Sequence, residues 1–89
     1  MKSIWKFPMV TKDVQEIEMP KDAQLLTVQM QGSRSPCIWA LVDPAAVKEK
    51  RTFRTYGTGH PITSGGLQYL GTYQLAGGSL IFHVFEQKG

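Results

Sequence analysis

Apolar and polar residues alternate along this chain with a period of two, in short runs separated by turn residues at regular spacing, which is the pattern of an all-β protein. The first predicted strand is Lys2 to Phe7, stopped by Pro8, with Trp5 and Phe7 on one face and Ile4 and Lys6 on the other. The second is Asp13 to Met19, where Val14, Glu16 and Glu18 alternate with Gln15, Ile17 and Met19. Pro20-Lys21-Asp22 reads as a turn. In Leu25 to Gln31 the alternation predicts Leu26, Val28 and Met30 toward the core and Thr27, Gln29 and Gln31 toward water. A five-residue connection, Gly32 to Pro36, suits a hairpin to Cys37–Val42. That run is apolar on both faces, as a central strand or one covered by a partner would be.

Asp43 and Pro44 suit the start of a turn or a single helical turn. Lys50 to Tyr56 is the next strand, with Arg51, Phe53 and Thr55 alternating against Thr52, Arg54 and Tyr56. A glycine-rich loop, Gly57 to Gly66, separates it from a final hairpin of Leu67–Leu75 and Leu80–Glu86 around Gly77-Gly78. No window of twelve or more residues carries a 3.6-residue apolar period, so no long helix is expected. The expectation is one domain over residues 1–89: a small antiparallel sandwich or barrel of about seven short strands, with local connections.

Length sharpens this. A chain of 89 residues buries only about 60–65% of the surface its unfolded form exposes. Small domains offset that with disulfides, metals or oligomerisation. Cys37 is the single cysteine, which rules out an internal disulfide, and no Cys or His pair has zinc spacing. A homo-oligomer is therefore expected, and no metal or cofactor. Lys6 and Pro8 interrupt any signal-like apolar region, and no apolar run approaches the roughly 18–20 residues of a membrane span. A reducing, non-membrane compartment follows as an expectation. Ten Lys and Arg against seven Asp and Glu give a formal charge of +3. That is too mild and too scattered for a duplex-binding stripe, although it is compatible with an anionic small molecule.

Candidate chemistry concentrates in the loop. Gly57, Thr58 and Gly59 let backbone N–H groups approach an anion, and His60 adds a donor beside them. Arg51 or Arg54 on the preceding strand supplies charge, and Trp5 or Tyr56 offers a ring on which a base could stack. The loop lacks the lysine of a phosphate loop, and no helix follows it. Catalysis has little support. His60 and His83 are the only histidines, Cys37 sits in an apolar strand, and the acids are scattered. His83, alternating with Ile81 and Phe85, reads as a hydrogen-bonded interior or interface residue.

Five strings, Ile4-Trp5-Lys6-Phe7-Pro8, Ile17-Glu18-Met19-Pro20, Cys37 through Pro44, Gly57-Thr58-Gly59-His60-Pro61-Ile62 and Phe82-His83-Val84-Phe85-Glu86, occur in this order across nearly the whole chain. In them the sequence resembles a family of small proteins of tailed bacteriophages and prophages. The resemblance implies a phage-encoded protein of the host bacterial cytoplasm and brings no catalytic residue with it. In that context the leading expectation is a non-enzymatic binding protein, an oligomeric sponge that sequesters a cyclic or signalling nucleotide of host defence. Gly57, Thr58, Gly59 and His60 would hold phosphate, with Arg54 or Arg51 as charge partner and Trp5 or Tyr56 as base platform. The alternative is a protein–protein module, either an inhibitor of a host defence protein or a minor virion or assembly component, presenting an exposed apolar or strand-edge surface.

Overall fold

The computed structural model describes residues 1–88. Seven strands follow one another: β1 (Ser3–Pro8), β2 (Val14–Pro20), β3 (Gln24–Gln31), β4 (Ser35–Val42), β5 (Lys48–Gly57), β6 (Leu67–Leu75) and β7 (Leu80–Gln87). All seven lie where the alternation predicts them, within two residues at each end. The one helical element among the described residues is a 3₁₀ turn at Ala76–Gly78, inside the last hairpin. Asp43 opens a turn instead of a helix: its carboxylate accepts from the Ala45 N–H at 3.0 Å and its carbonyl from the Ala46 N–H at 3.0 Å.

The strands form two antiparallel sheets, one in the order β1-β4-β3 and the other β2-β5-β7-β6. Two separate sheets make this a sandwich and not a closed barrel. Only β3–β4 and β6–β7 are hairpins. The pairings β1–β4, β2–β5 and β5–β7 join distant segments, so the connections are less local than the even strand spacing suggests. The buried cluster draws on both sheets: Val28, Ile38, Ala40 and Val42 from the first, Met19, Phe53, Tyr73 and Val84 from the second. Trp5 and Phe7 pack against it, which leaves Ile4 and Lys6 on the outer face.

One predicted core residue is misplaced. Leu26 is 43% exposed, while Leu25 packs against the core with Val28 and Met30. The pairing of β3 with β4 slips between Leu25 and Thr27, and the extra residue of this bulge reverses the alternation before it. A second slip lies in β6 between Tyr69 and Gly71. The sheets come close there: a Cβ on Gly71 would stand 3.1 Å from Cβ of Val28. Gly71→Ala is therefore expected to destabilise the fold by about 1 kcal/mol through overpacking. Val28→Ala in the same chain should offset part of that loss, and urea denaturation of the single and double variants would measure the coupling.

Candidate functional site

β2 begins at Val14, opposite Arg54, whereas β5 runs on to Gly57. The Thr55 N–H still finds a partner, the Asp13 carbonyl at 3.0 Å. Beyond it the flank of β5 has no strand beside it, and a cleft of about 440 Å³ opens there. One wall is Thr11, Lys12 and Asp13, the other is His60, Pro61 and Thr63 of the long loop, and Arg54 to Gly57 with Phe82 complete it. The volume is within the usual range for small-molecule sites.

Both walls are held in place. Gln15, buried on the inner face of β2, grips residue 10 twice: its amide donates to the Val10 carbonyl at 2.6 Å and its Oε1 accepts the Val10 N–H at 3.1 Å. The Tyr73 hydroxyl, reaching from β6, bonds Thr11 Oγ1 at 2.6 Å. Burial pushes the Tyr73 phenol above its ordinary pKa, against the opposing effect of Thr11, so it stays protonated at neutral pH. On the loop side, the Thr58 N–H donates to the Ile81 carbonyl at 3.3 Å and the His60 N–H to the Gly57 carbonyl at 3.1 Å. The imidazole of His60 then lies over Gly57, where a Cβ would come 3.0 Å from its ring. Gly57 is needed for that close approach.

The lining carries two cations, Lys12 and Arg54, against one acid, Asp13. Arg54 donates Nε–H to Gln87 Oε1 at 2.7 Å, and the Gln87 amide donates in turn to the Gly65 carbonyl at 2.7 Å, so the guanidinium is braced against the end of the loop. Two hydroxyls that belong to lining residues, Thr55 Oγ1 and Tyr56 OH, are buried without a hydrogen-bond partner. Each such group costs about 1–3 kcal/mol unless something satisfies it.

Over Gly57 the cleft adjoins a smaller hollow of about 180 Å³ on the outer face of the second sheet, and the two share Tyr56, Gly57 and His60. Here the register sets Arg54, Phe85 and Tyr69 in one row across β5, β7 and β6, and Tyr56, His83 and Thr72 in the next. The rings of Tyr56 and Tyr69 each meet Phe85 edge-on, at centroid separations of 5.8 and 5.4 Å. Both His83 nitrogens meet hydroxyls: Nε2 lies 2.7 Å from Thr58 Oγ1 and Nδ1 3.0 Å from Thr72 Oγ1, which also bonds the Tyr69 hydroxyl. The Thr58 contact fastens the start of the loop to β7.

Of the residues singled out from sequence, Arg54, Tyr56, Gly57 and His60 meet at the cleft, and Thr58 and Gly59 line the adjoining hollow. Gly59 takes a left-handed backbone angle, φ +85°. Arg51 and Trp5 are elsewhere. Arg51 is on the opposite face of β5, ion-paired to Glu86 at 2.6 Å, because alternation turns it inward when Arg54 points out. Trp5 belongs to the other sheet and packs against its core side. His83 is half-buried and hydrogen-bonded on the outer face of the sheet, not in the interior. Sequence reasoning missed Lys12, Asp13, Thr55, Tyr69 and Phe85. For Phe85 a signal was available, since it alternates with His83 in a strand of the hairpin predicted around Gly77-Gly78. Lys12 and Asp13 carry none, because they reach β5 only through the distant β2–β5 pairing.

An antiparallel β-sandwich with a basic-rimmed cleft at the free end of one central strand is thus the class that fold and site define. The chain belongs to the family described as domain of unknown function DUF7352, whose match spans residues 1–89. No curated protein and no solved structure matches it. Among the described residues no helix is long and apolar enough to cross a membrane.

Proposed function

We propose that this protein is a non-enzymatic binding protein that sequesters a phosphate-bearing small molecule in the cleft between Thr11–Asp13 and the Gly57–Gly66 loop. The observation that carries the reading is a cleft of about 440 Å³ rimmed by Lys12 and Arg54, where β5 runs on past the start of β2. A phosphate ester supplies negative charge for both cations. The groups that hold the walls are already ordered, which favours holding a ligand with little reorganisation. The tailed-phage resemblance of the sequence is the ground for setting this activity in an infected bacterium, where a sponge for a host cyclic or signalling nucleotide is useful.

Thermal shift with inorganic pyrophosphate and a panel of cyclic mono- and dinucleotides tests the reading. A ligand at 100 times its Kd stabilises the fold by about 2.7 kcal/mol. Arg54→Ala should weaken binding roughly 10- to 100-fold, and the ligand should return unchanged after heat release. No shift with any member of the panel sinks the proposal, and a changed product makes the protein an enzyme.

A second reading, a protein–protein module, draws on the outer face of the first sheet. Ile4 is 60% exposed there beside Leu41, and the neighbouring Trp39 has its indole N–H buried without a partner. It gains if the ligand panel fails and light scattering gives a mass above the 9.9 kDa of one chain.

A further inference from the structure

The cleft and the hollow beside it differ in chemistry, and a ligand that uses both must have two kinds of group. The cleft offers the cations Lys12 and Arg54. The hollow offers aromatic surface, with Tyr69 56% exposed and Phe85 in edge contact with it. They meet at Gly57, which has no side chain of its own; the imidazole of His60 lies over it and borders both. Arg54 lines the cleft and lies in the same cross-strand row as Phe85 and Tyr69 of the hollow.

From this we infer that the ligand is a nucleotide whose base stacks on Tyr69 while its phosphate enters the cleft; the inference rests on the binding function proposed above. Any planar heteroaromatic base gains from an exposed aromatic face. Thr58 and Thr72, both held by His83, border that face, and each hydroxyl oxygen keeps lone-pair capacity for a donor on a base edge. Arg54 then stands at the phosphate end of that row, separated from Tyr69 by Phe85, and supplies charge to the phosphate. The base platform is therefore Tyr69 with Phe85 beside Tyr56, in place of Trp5.

Isothermal titration of the intact protein with pyrophosphate, ribose 5-phosphate and the matching nucleoside monophosphates and cyclic dinucleotides tests this. A nucleotide should bind about 5- to 150-fold more tightly than ribose 5-phosphate, the range that stacking one base gives. Tyr69→Ala should abolish that advantage and leave ribose 5-phosphate binding unchanged, whereas Tyr69→Phe, which keeps the ring, should retain it. Circular dichroism would check that each variant folds. If Tyr69→Ala does not fold, Phe85→Leu serves in its place, with a reduced advantage expected. Equal binding of ribose 5-phosphate and nucleotides by the native chain overturns the base platform and leaves the phosphate cleft standing. An undiminished advantage in folded Tyr69→Ala and Phe85→Leu variants also overturns it, and makes the aromatic row a sheet-stabilising ladder only. Failure of every probe, pyrophosphate included, removes the cleft reading itself.

Discussion

Replacement of Glu86 by alanine is expected to lower the stability of the folded chain by about 3–5 kcal/mol, because it strands a buried cation. Arg51 and Glu86 face each other between the sheets, with their side chains 13% and 7% exposed. The guanidinium binds the carboxylate through both Nε (2.6 Å) and Nη2 (2.9 Å), and its Nη1 donates to the Ala23 carbonyl at 2.6 Å. Lys88 approaches the same carboxylate at 3.2 Å but is half-exposed and adds little. Without Glu86 the Arg51 charge remains in the seam with the Ala23 carbonyl as its one hydrogen-bond acceptor and only the weaker fields of Glu49 and Asp22 to offset it. The double variant Arg51→Met, Glu86→Leu removes both charges and should regain most of the loss, since a buried pair is worth far less than the damage done by halving it.

The same pair sets a pH dependence. Burial alone would raise the Glu86 carboxyl, but the hydrogen bonds and charge of Arg51, helped by Lys88, outweigh it and hold the pKa below the ordinary carboxylate range. Glu86 then prefers the folded state in its ionised form. Its contribution is complete above the unfolded-state pKa of about 4.3 and is lost as pH falls through the depressed folded value. Arg51 is shifted upward, chiefly by its hydrogen bonds to Glu86, and does not titrate in this range. Urea denaturation from pH 7 down to pH 3 should show the native chain losing stability below about pH 4–5. Glu86→Gln should show a shallower slope, because this carboxyl no longer titrates.

Arg51 also marks where sequence reading reached its limit. Period-two alternation gave the strands, the two hairpins and the opposite facing of Arg51 and Arg54, yet not which of the two faces is inside. That is decided by Glu86, thirty-five positions away, through the non-local β5–β7 pairing. The Gly57–His60 turn was legible because glycine and a following His-Pro pair are local signals. Lys12 and Thr55 were not, since a cleft made by one strand outrunning its neighbour depends on the relative offset of β2 and β5, and no residue advertises an offset. Leu26 failed for a related reason: a bulge inserts one residue and inverts every position on one side of it.

Phe53→Ala is expected to cost about 3–5 kcal/mol, the transfer of a large ring plus the cavity it leaves. Phe53 is fully buried and lies on β5, opposite Gln15 of β2 and Glu86 of β7. It is among the largest side chains in a cluster that a flat sandwich, 15 Å in its shortest extent, cannot easily close around a void. A chain of this length has a total stability of roughly 4–13 kcal/mol, so the variant should melt at least about 12 °C lower or fail to fold. Phe53→Leu keeps most of the volume and should lose much less. The consequence for the site follows from position: Phe53 anchors the strand whose next three residues are Arg54, Thr55 and Tyr56. A loosened β5 should blunt the cleft before the sheet unfolds, so folded Phe53→Leu is expected to bind the ligand more weakly although no contacting group has changed. Saturating ligand should in return raise the melting temperature of that variant, by linkage. A loss below about 1 kcal/mol in Phe53→Ala, measured by urea denaturation, would mean that the core is not organised around β5.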